Sequence, residues 1–235
     1  MKKEDRPLGI MNRCDNMPKA VVLLSGGLDS TVTLAFSLNE GYEMIALSFR
    51  YGQRHTKEID SAKAVAEYYK LAHVIVDIDL SSFSSSLIGR SKEIEKDRIS
   101  IGHDIPDTYV PARNLIMLSI AAGLCESIGA EMIYIGANSI DYSGYPDCRK
   151  EFFTALEETI KKGTKKGIEG SPIKVMTPIL DMTKADIVKL GKKLNAPMHL
   201  TWSCYDGNER QCGKCDSCIL RKKGFEDAGY KDEAI

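Results

Sequence analysis

The sequence predicts an open, parallel β-sheet with helices on both faces. Three observations carry that expectation: five short apolar runs along the chain from Lys19, helical segments between most of them, and glycine-bearing polar loops after the strands. Strand and helix alternating in this way make parallel strands joined by right-handed crossovers. Ligands on such sheets bind beyond the carboxyl ends of the strands, so those loops are where chemistry is expected.

The elements follow in order. Residues 1–18 are polar and aperiodic and read as a tail ending at Pro18. "KAVVLLS" is a buried strand by its continuous apolar run, and Ser30 to Asn39 a helix closed by Gly41. "EMIALSF" is the second strand, followed by a helix over Thr56 to Tyr69 with Ile59, Ala62, Ala66 and Tyr69 at helical spacing; "HVIVDID" is the third. The serine- and charge-rich segment 81–107 is too long for an ordinary loop and reads as a mobile insertion or lid. Pro111 opens a helix to about Ser127, Gly129 closes it, and "EMIYIGA" is the fourth strand. A helix over Arg149 to Lys161 and the short strand "IKVMTP" come next, and Thr183 and Asp186 then open a helix at a spacing close to a capping box. This gives an α/β core over 19–195 and a small C-terminal region over 196–235.

Composition narrows the function classes. The 235 residues balance 32 basic against 33 acidic groups, a net charge of −1, so no global field would hold a nucleic-acid backbone. The N-terminus lacks a signal-peptide core, and the longest apolar run, "LIMLSIAAGLC", is too short and mixed to cross a bilayer. A cytoplasmic protein is expected. In that compartment thiols stay reduced, so the crowding of four of the seven cysteines between Cys204 and Cys218 points to a metal rather than to disulfides.

The loop after the first strand, "SGGLDS", carries Gly26 and Gly27, which can adopt positive φ and expose backbone amides to a ligand. Asp29 or Ser30 can cap the helix that starts there, whose N-terminus favours an anion. No lysine of the G-x-x-x-x-G-K-[ST] type is present. The loop after the second strand offers Tyr51, Arg54 and His55, of which Arg54 can grip a phosphate through two parallel bonds. In "TYVPARN", Arg113 and Asn114 lie in the first turn of a helix, where a cation opposes the dipole and calls for a compensating anion. "GANSIDYSGYPDCRK" gathers Asp141, Tyr142, Tyr145 and Asp147; tyrosines stack on a flat heterocycle, and a carboxylate accepts from two adjacent N–H donors of a guanine edge. Cys148 has nothing nearby to activate it.

The C-x7-C-x2-C-x2-C pattern of Cys204, Cys212, Cys215 and Cys218 suits a tetrahedral thiolate shell. An iron–sulfur cluster is the competitor, and zinc is favoured because nothing else in the chain points to redox chemistry. One structural Zn²⁺ per chain is expected.

"SGGLDS" resembles the PP-loop of the N-type ATP pyrophosphatases, S-G-G-x-D-S, which hold the β and γ phosphates together and release pyrophosphate. With "YGQRH", "VPARN", "DYSGYPDCR", "TWSCY" and "CGKCDSC", the chain from Lys19 to about Asp227 is similar to the 7-cyano-7-deazaguanine synthase family. Ala112 stands where that family pattern usually has glycine, and its methyl is accommodated if φ is negative. The resemblance implies a ligase that converts 7-carboxy-7-deazaguanine and ammonia to the nitrile and consumes ATP with Mg²⁺ in two adenylations. It implies nucleotide contacts from Leu24, Ser25, Gly26, Gly27, Leu28, Asp29, Ser30, Thr31 and Lys184, with Asp29, Ser30 and Arg113 closest to the chemistry. It also implies a substrate pocket built from Tyr51, Arg54, His55, Arg113, Asn114, Asp141, Tyr142, Tyr145 and Asp147. A homodimer is expected from the resemblance alone; neither a nucleic-acid nor a membrane partner is expected. The rival readings are a PP-loop enzyme of tRNA thiolation, which would want catalytic cysteines near the nucleotide, and a non-catalytic zinc protein that binds nucleic acid, which would show a steep salt dependence.

Overall fold

The computed structural model describes residues 17–89, 93–97, 105–140 and 145–234. Five strands, β1 (Lys19–Leu23), β2 (Glu43–Arg50), β3 (Ala72–Asp77), β4 (Met132–Ile135) and β5 (Lys174–Met176), form one sheet in the order β3-β2-β1-β4-β5. All four pairings are parallel; Val22 lies opposite both Ala46 and Tyr134. The strands that read as unbroken apolar runs are the ones buried on both faces. Ala20, Val21 and Val22 are wholly inaccessible, as are Ala46 and Leu47.

Two apolar layers cover the sheet. Ala20, Val22 and Ala46 pack against α1 (Leu28–Ser37) and α2 (Lys57–Tyr68) through Leu34, Ala62 and Val65. Val21, Ile45 and Leu47 face α3 (Arg113–Ile128) and α4 (Lys150–Gly163) through Leu118, Ala121, Phe153 and Leu156. The four-residue α5 (Lys165–Ile168) follows, and then α6 (Lys184–Lys193). The expected capping box at α6 is complete, with Thr183 Oγ1 accepting from Asp186 N and Asp186 Oδ2 accepting from Thr183 N. Gly41 and Gly129 close their helices at φ +82° and +76°, as the sequence suggests.

Three features depart from expectation. First, a helix not foreseen, α7 (Asp216–Ala228), begins inside the cysteine motif, and its Phe225 shares a core with Leu28 and Val32 of α1 and Ile187 of α6. Second, α1 starts at Leu28 with Gly27 as N-cap and no side-chain cap, so neither Asp29 nor Ser30 caps it; both are held elsewhere, as described below. Third, Ala112 is left-handed, at φ +55° and ψ 21°, not at negative φ. It is the N-cap residue of α3, and its carbonyl accepts from Ile116 N (3.0 Å), so the helix start fixes the strained conformation.

Left-handed alanine is strained by roughly 1–2 kcal/mol, and glycine forfeits roughly 0.4–1 kcal/mol through the unfolded chain. Ala112→Gly is therefore expected to stabilise the fold by about 0.5–1 kcal/mol, read as a rise in urea midpoint at constant slope.

The described parts of 81–107 lie against the body of the protein. Leu87 and Ile88 are buried, and Arg54 N donates to Leu87 O (3.3 Å). Asp97 N donates to Lys214 O (2.9 Å), and Lys96 pairs with Asp206 at 2.8 Å. The remainder of that segment, the N-terminal tail up to residue 16, and the expected substrate residues Asp141 and Tyr142 lie outside the described residues.

Candidate active site

A cavity of about 240 Å³ opens beyond the carboxyl ends of β1, β2 and β4, where the parallel topology places a ligand. Its first wall is the turn after β1. Gly26 takes φ +85°, and a Cβ there would sit 2.1 Å from Glu58 O and 2.6 Å from Ala62 N of α2. Helix packing by itself thus requires glycine here. Gly27 has φ −79° and itself lines the cavity.

Beyond Gly27 the chain turns straight into α1. Thr31 N makes the first intrahelical bond, to Gly27 O (3.1 Å), so the N–H groups of Leu28, Asp29 and Ser30 precede it and have no helical acceptor. These three residues line the cavity, and the helix end favours an anion there. Ser30 Oγ braces the turn by accepting from Ser25 N (3.2 Å), donating to Gly27 O (3.1 Å) and meeting Ser25 Oγ at 3.0 Å. Leu24 and Ser25 also line the cavity; Gly26 and the fully buried Thr31 do not.

Asp29 and Lys184 come together from opposite ends of the sequence. Lys184 Nζ, at the start of α6, lies 2.7 and 2.8 Å from the two Asp29 carboxylate oxygens, and both side chains are largely buried. Gly224 of α7 makes room for the lysine stem, since a Cβ there would meet Lys184 Cγ at 2.3 Å. A cation and a carboxylate therefore stand together beside the free amides of α1.

The second wall is aromatic and cationic. The Arg113 guanidinium lies 6.0 Å from the centre of the Tyr51 ring, at cation–π range. Burial raises the Tyr51 phenol above its usual range, with Arg113 opposing it. Tyr145 is buried, shares a 2.8 Å bond with Thr108 Oγ1 and lies edge-on to Tyr109. Asn114 N donates to Asp147 Oδ2 (3.0 Å), so Asp147 serves the N-terminus of α3 and, unlike Asn114, does not line the cavity. The compensating anion expected at that helix start is thus supplied in part by the protein. Arg54 lines the cavity with its Nη1 donating to Ser86 O (3.3 Å). His55 is wedged between Gly207 and the Trp202 ring (centroids 6.3 Å apart), and burial lowers its basicity.

In the sequence Glu58 looks like an ordinary first-turn acid of α2. It lines the cavity, and burial pushes its carboxyl up to about 7. No spacing rule reveals such a residue; the close approach of Gly26 to α2 creates its setting.

The third wall, from the C-terminal region, is tied to the first by Trp202 N, which donates to Gly26 O (2.9 Å). Behind it lie the four cysteines, whose Sγ atoms all fall within 4.8 Å of one another. A tetrahedral Zn²⁺ shell with bonds of about 2.3 Å has sulfurs about 3.8 Å apart. Backbone N–H groups point at these sulfurs: Cys212 N at 3.2 Å and Asp206 N at 3.4 Å from Cys204 Sγ, and Cys215 N at 3.3 Å and Lys214 N at 3.4 Å from Cys212 Sγ. Such donors stabilise thiolates, so the cluster fits a closed four-sulfur metal site.

A sequence model of the family described as "Queuosine biosynthesis protein QueC" matches residues 19–229. The chain belongs to the QueC family. Among its QueC-type relatives, a protein of Picrophilus torridus is 54% identical over 92% of this chain and 91% of the relative, and one of Acetivibrio thermocellus is 52% identical over 92% and 96%. Both are named 7-cyano-7-deazaguanine synthase. The fold also matches the crystal structure of a protein described as a predicted subunit of a tRNA methyltransferase from Methanocaldococcus jannaschii. There the TM-score is 0.50 at 14% identity, over 93% of this chain and 91% of the other, a likeness of fold alone. Among the described residues no helix is long and apolar enough to cross a membrane.

Proposed function

We propose that this chain is an ATP-dependent C–N ligase that converts 7-carboxy-7-deazaguanine and ammonia to 7-cyano-7-deazaguanine. The observation that carries the reading is the 54% identity over 92% of the chain to a 7-cyano-7-deazaguanine synthase. A carboxylate is a poor electrophile and its oxygen a poor leaving group, which explains the need for ATP. The carboxylate attacks the α phosphate and expels pyrophosphate; ammonia then displaces AMP and leaves the amide. A second adenylation on the amide oxygen, followed by loss of AMP, forms the C≡N bond.

The free amides of Leu28, Asp29 and Ser30 take the departing pyrophosphate, with Ser25 and Gly27 shaping the turn. Lys184 neutralises phosphate charge, and Arg113 balances charge at the carboxyl being adenylated. Tyr51 and Tyr145, with Asp141 and Tyr142, hold the heterocycle. Mg²⁺ would accompany ATP and neutralise phosphate charge, and Asp29 would help to hold it. Catalysis is thus mainly positioning and charge neutralisation.

The four cysteines hold one structural Zn²⁺, which cross-links the C-terminal region. Metal analysis is expected to return about one zinc per chain, as one closed shell requires; iron with visible absorbance would remove this assignment. The chain works in the cytosol, where reduced thiols remain available to the metal. It acts as a homodimer, a reading supported by the exposed Leu115 (42% accessible) and partly exposed Ile116 and Ile120 on α3.

The test is pyrophosphate release. It is expected to require both 7-carboxy-7-deazaguanine and ammonium for sustained turnover and to yield the nitrile. Release that depends instead on an RNA would overturn the ligase reading.

A further inference from the structure

The reaction proposed above has a requirement that the phosphate-binding groups do not meet. Nitrogen enters as ammonia with three hydrogens and ends in a nitrile with none. When ammonia bonds to the adenylated carboxyl carbon, the C–O bond to AMP breaks with its electron pair leaving on AMP, and the nitrogen must give up one proton. In the second round the adenylated amide loses its two remaining N–H protons as the other C–O bond breaks, again with the pair departing on AMP. A base near the reacting carbon has to take these protons in turn.

Most titratable groups lining the cavity are engaged or unsuited. Asp29 is held by Lys184. The Cys148 thiol is pushed up to about 12 by burial and the neighbouring Asp147, and it accepts from Asn114 Nδ2 (3.3 Å). His55 is wedged between Gly207 and the Trp202 ring, and burial lowers its basicity. The Tyr51 phenol is raised by burial.

Glu58 differs from all of these. Its main chain abuts Gly26 at the tip of the loop after β1, the residue lines the cavity, and its carboxyl has no hydrogen-bond partner among the described residues. It shares the cavity with the amide-bearing residues of α1 and interacts electrostatically with both Tyr51 and Arg113, on the side where the adenylated carbon would sit. We propose that Glu58 is the general base that accepts the protons released from nitrogen in both the amide-forming and the nitrile-forming steps, returning each to solvent before the next.

Its electrostatic setting suits the task. Burial raises it to about 7, Arg113 from α3 opposes the rise, and Cys204 from the C-terminal region adds to it. A base poised near the working pH transfers protons most effectively. This proposal rests on the ligase reading, and its test separates the two.

In wild type, the acid with ATP but no ammonium is expected to give a burst of pyrophosphate, and added ammonium sustained turnover. Glu58→Gln is expected to keep the burst within about twofold while lowering ammonium-dependent turnover roughly 100-fold, the scale of a lost general base. At saturating ammonia, a rising limb of turnover against pH is expected near 7 in wild type and should disappear in Glu58→Gln. Glu58→Ala should regain turnover with added formate. Burst and turnover falling together, a raised KM for the acid with kcat unchanged, or a variant equal to wild type would each overturn the proposal. A wild-type chain that releases no pyrophosphate with the acid would overturn the ligase reading, and the proposal with it.

Discussion

Asp29→Ala is expected to lower pyrophosphate release by roughly 10²–10³-fold, the scale seen when one preorganised electrostatic contact to a developing charge is removed. The reason lies in where the carboxylate stands. It is a cavity-lining residue in the first turn of α1, beside amides that have no other acceptor, and it keeps Lys184 within 2.8 Å. Removing it takes away the proposed Mg²⁺ contact and leaves a largely buried ammonium without this partner. That second effect destabilises the fold as well, so a loss of activity alone would be ambiguous. Assays well below the unfolding temperature of Asp29→Ala resolve this: pyrophosphate release should stay low while circular dichroism shows the chain folded. Turnover unaffected by Asp29→Ala would sink the assignment of the first loop.

Asp232→Ala should give the largest loss of stability, about 3–5 kcal/mol, because it strands a buried cation. Arg221 is 1% accessible yet charged, and every arm of it is satisfied. Nε and Nη2 meet the two Asp232 oxygens at 2.6 and 3.0 Å, Nη1 donates to Thr201 Oγ1 (2.7 Å) and Ser203 Oγ (3.0 Å), and Nη2 donates to Met198 O (3.3 Å). One side chain thereby clamps α7, the stretch 198–203 and the C-terminal segment together. Urea unfolding measures the loss, and the double change Arg221→Met with Asp232→Ala should recover much of it, since the pair's desolvation penalty is then gone. An Asp232→Ala variant as stable as wild type would show that the clamp carries little energy.

Local signals made much of this molecule readable. Continuous apolar runs gave away strands buried on both faces, and Thr183 with Asp186 marked a helix start that the structure completes. The cysteine spacing announced a four-sulfur cluster whose atoms do converge. Features set by distant contacts could not be read. α7 carries a polar sequence with little periodicity and is held by Arg221 and Phe225 packing onto remote segments. The Asp29–Lys184 pair joins residues 155 apart in the chain. Gly26 looked like a ligand-facing glycine because it can expose backbone amides, yet its positive φ serves close contact with α2 at the main chain of Glu58 and Ala62. At 112 alanine itself does not suggest a left-handed backbone, since it rarely adopts one; the signal lay in the glycine usual there in the family pattern.

The order of strands also bears on how the chain comes off the ribosome. The innermost strand, β1, is made first, but its far-side neighbour is β4, so Ala20 must wait for Met132 before its second edge is paired. Until then an apolar ribbon has one edge open, and closing so long a loop is slow. The nascent protein therefore passes through a stage that invites sticking to other chains, and its yield in a cell depends on shielding during synthesis as much as on the strength of the finished sheet.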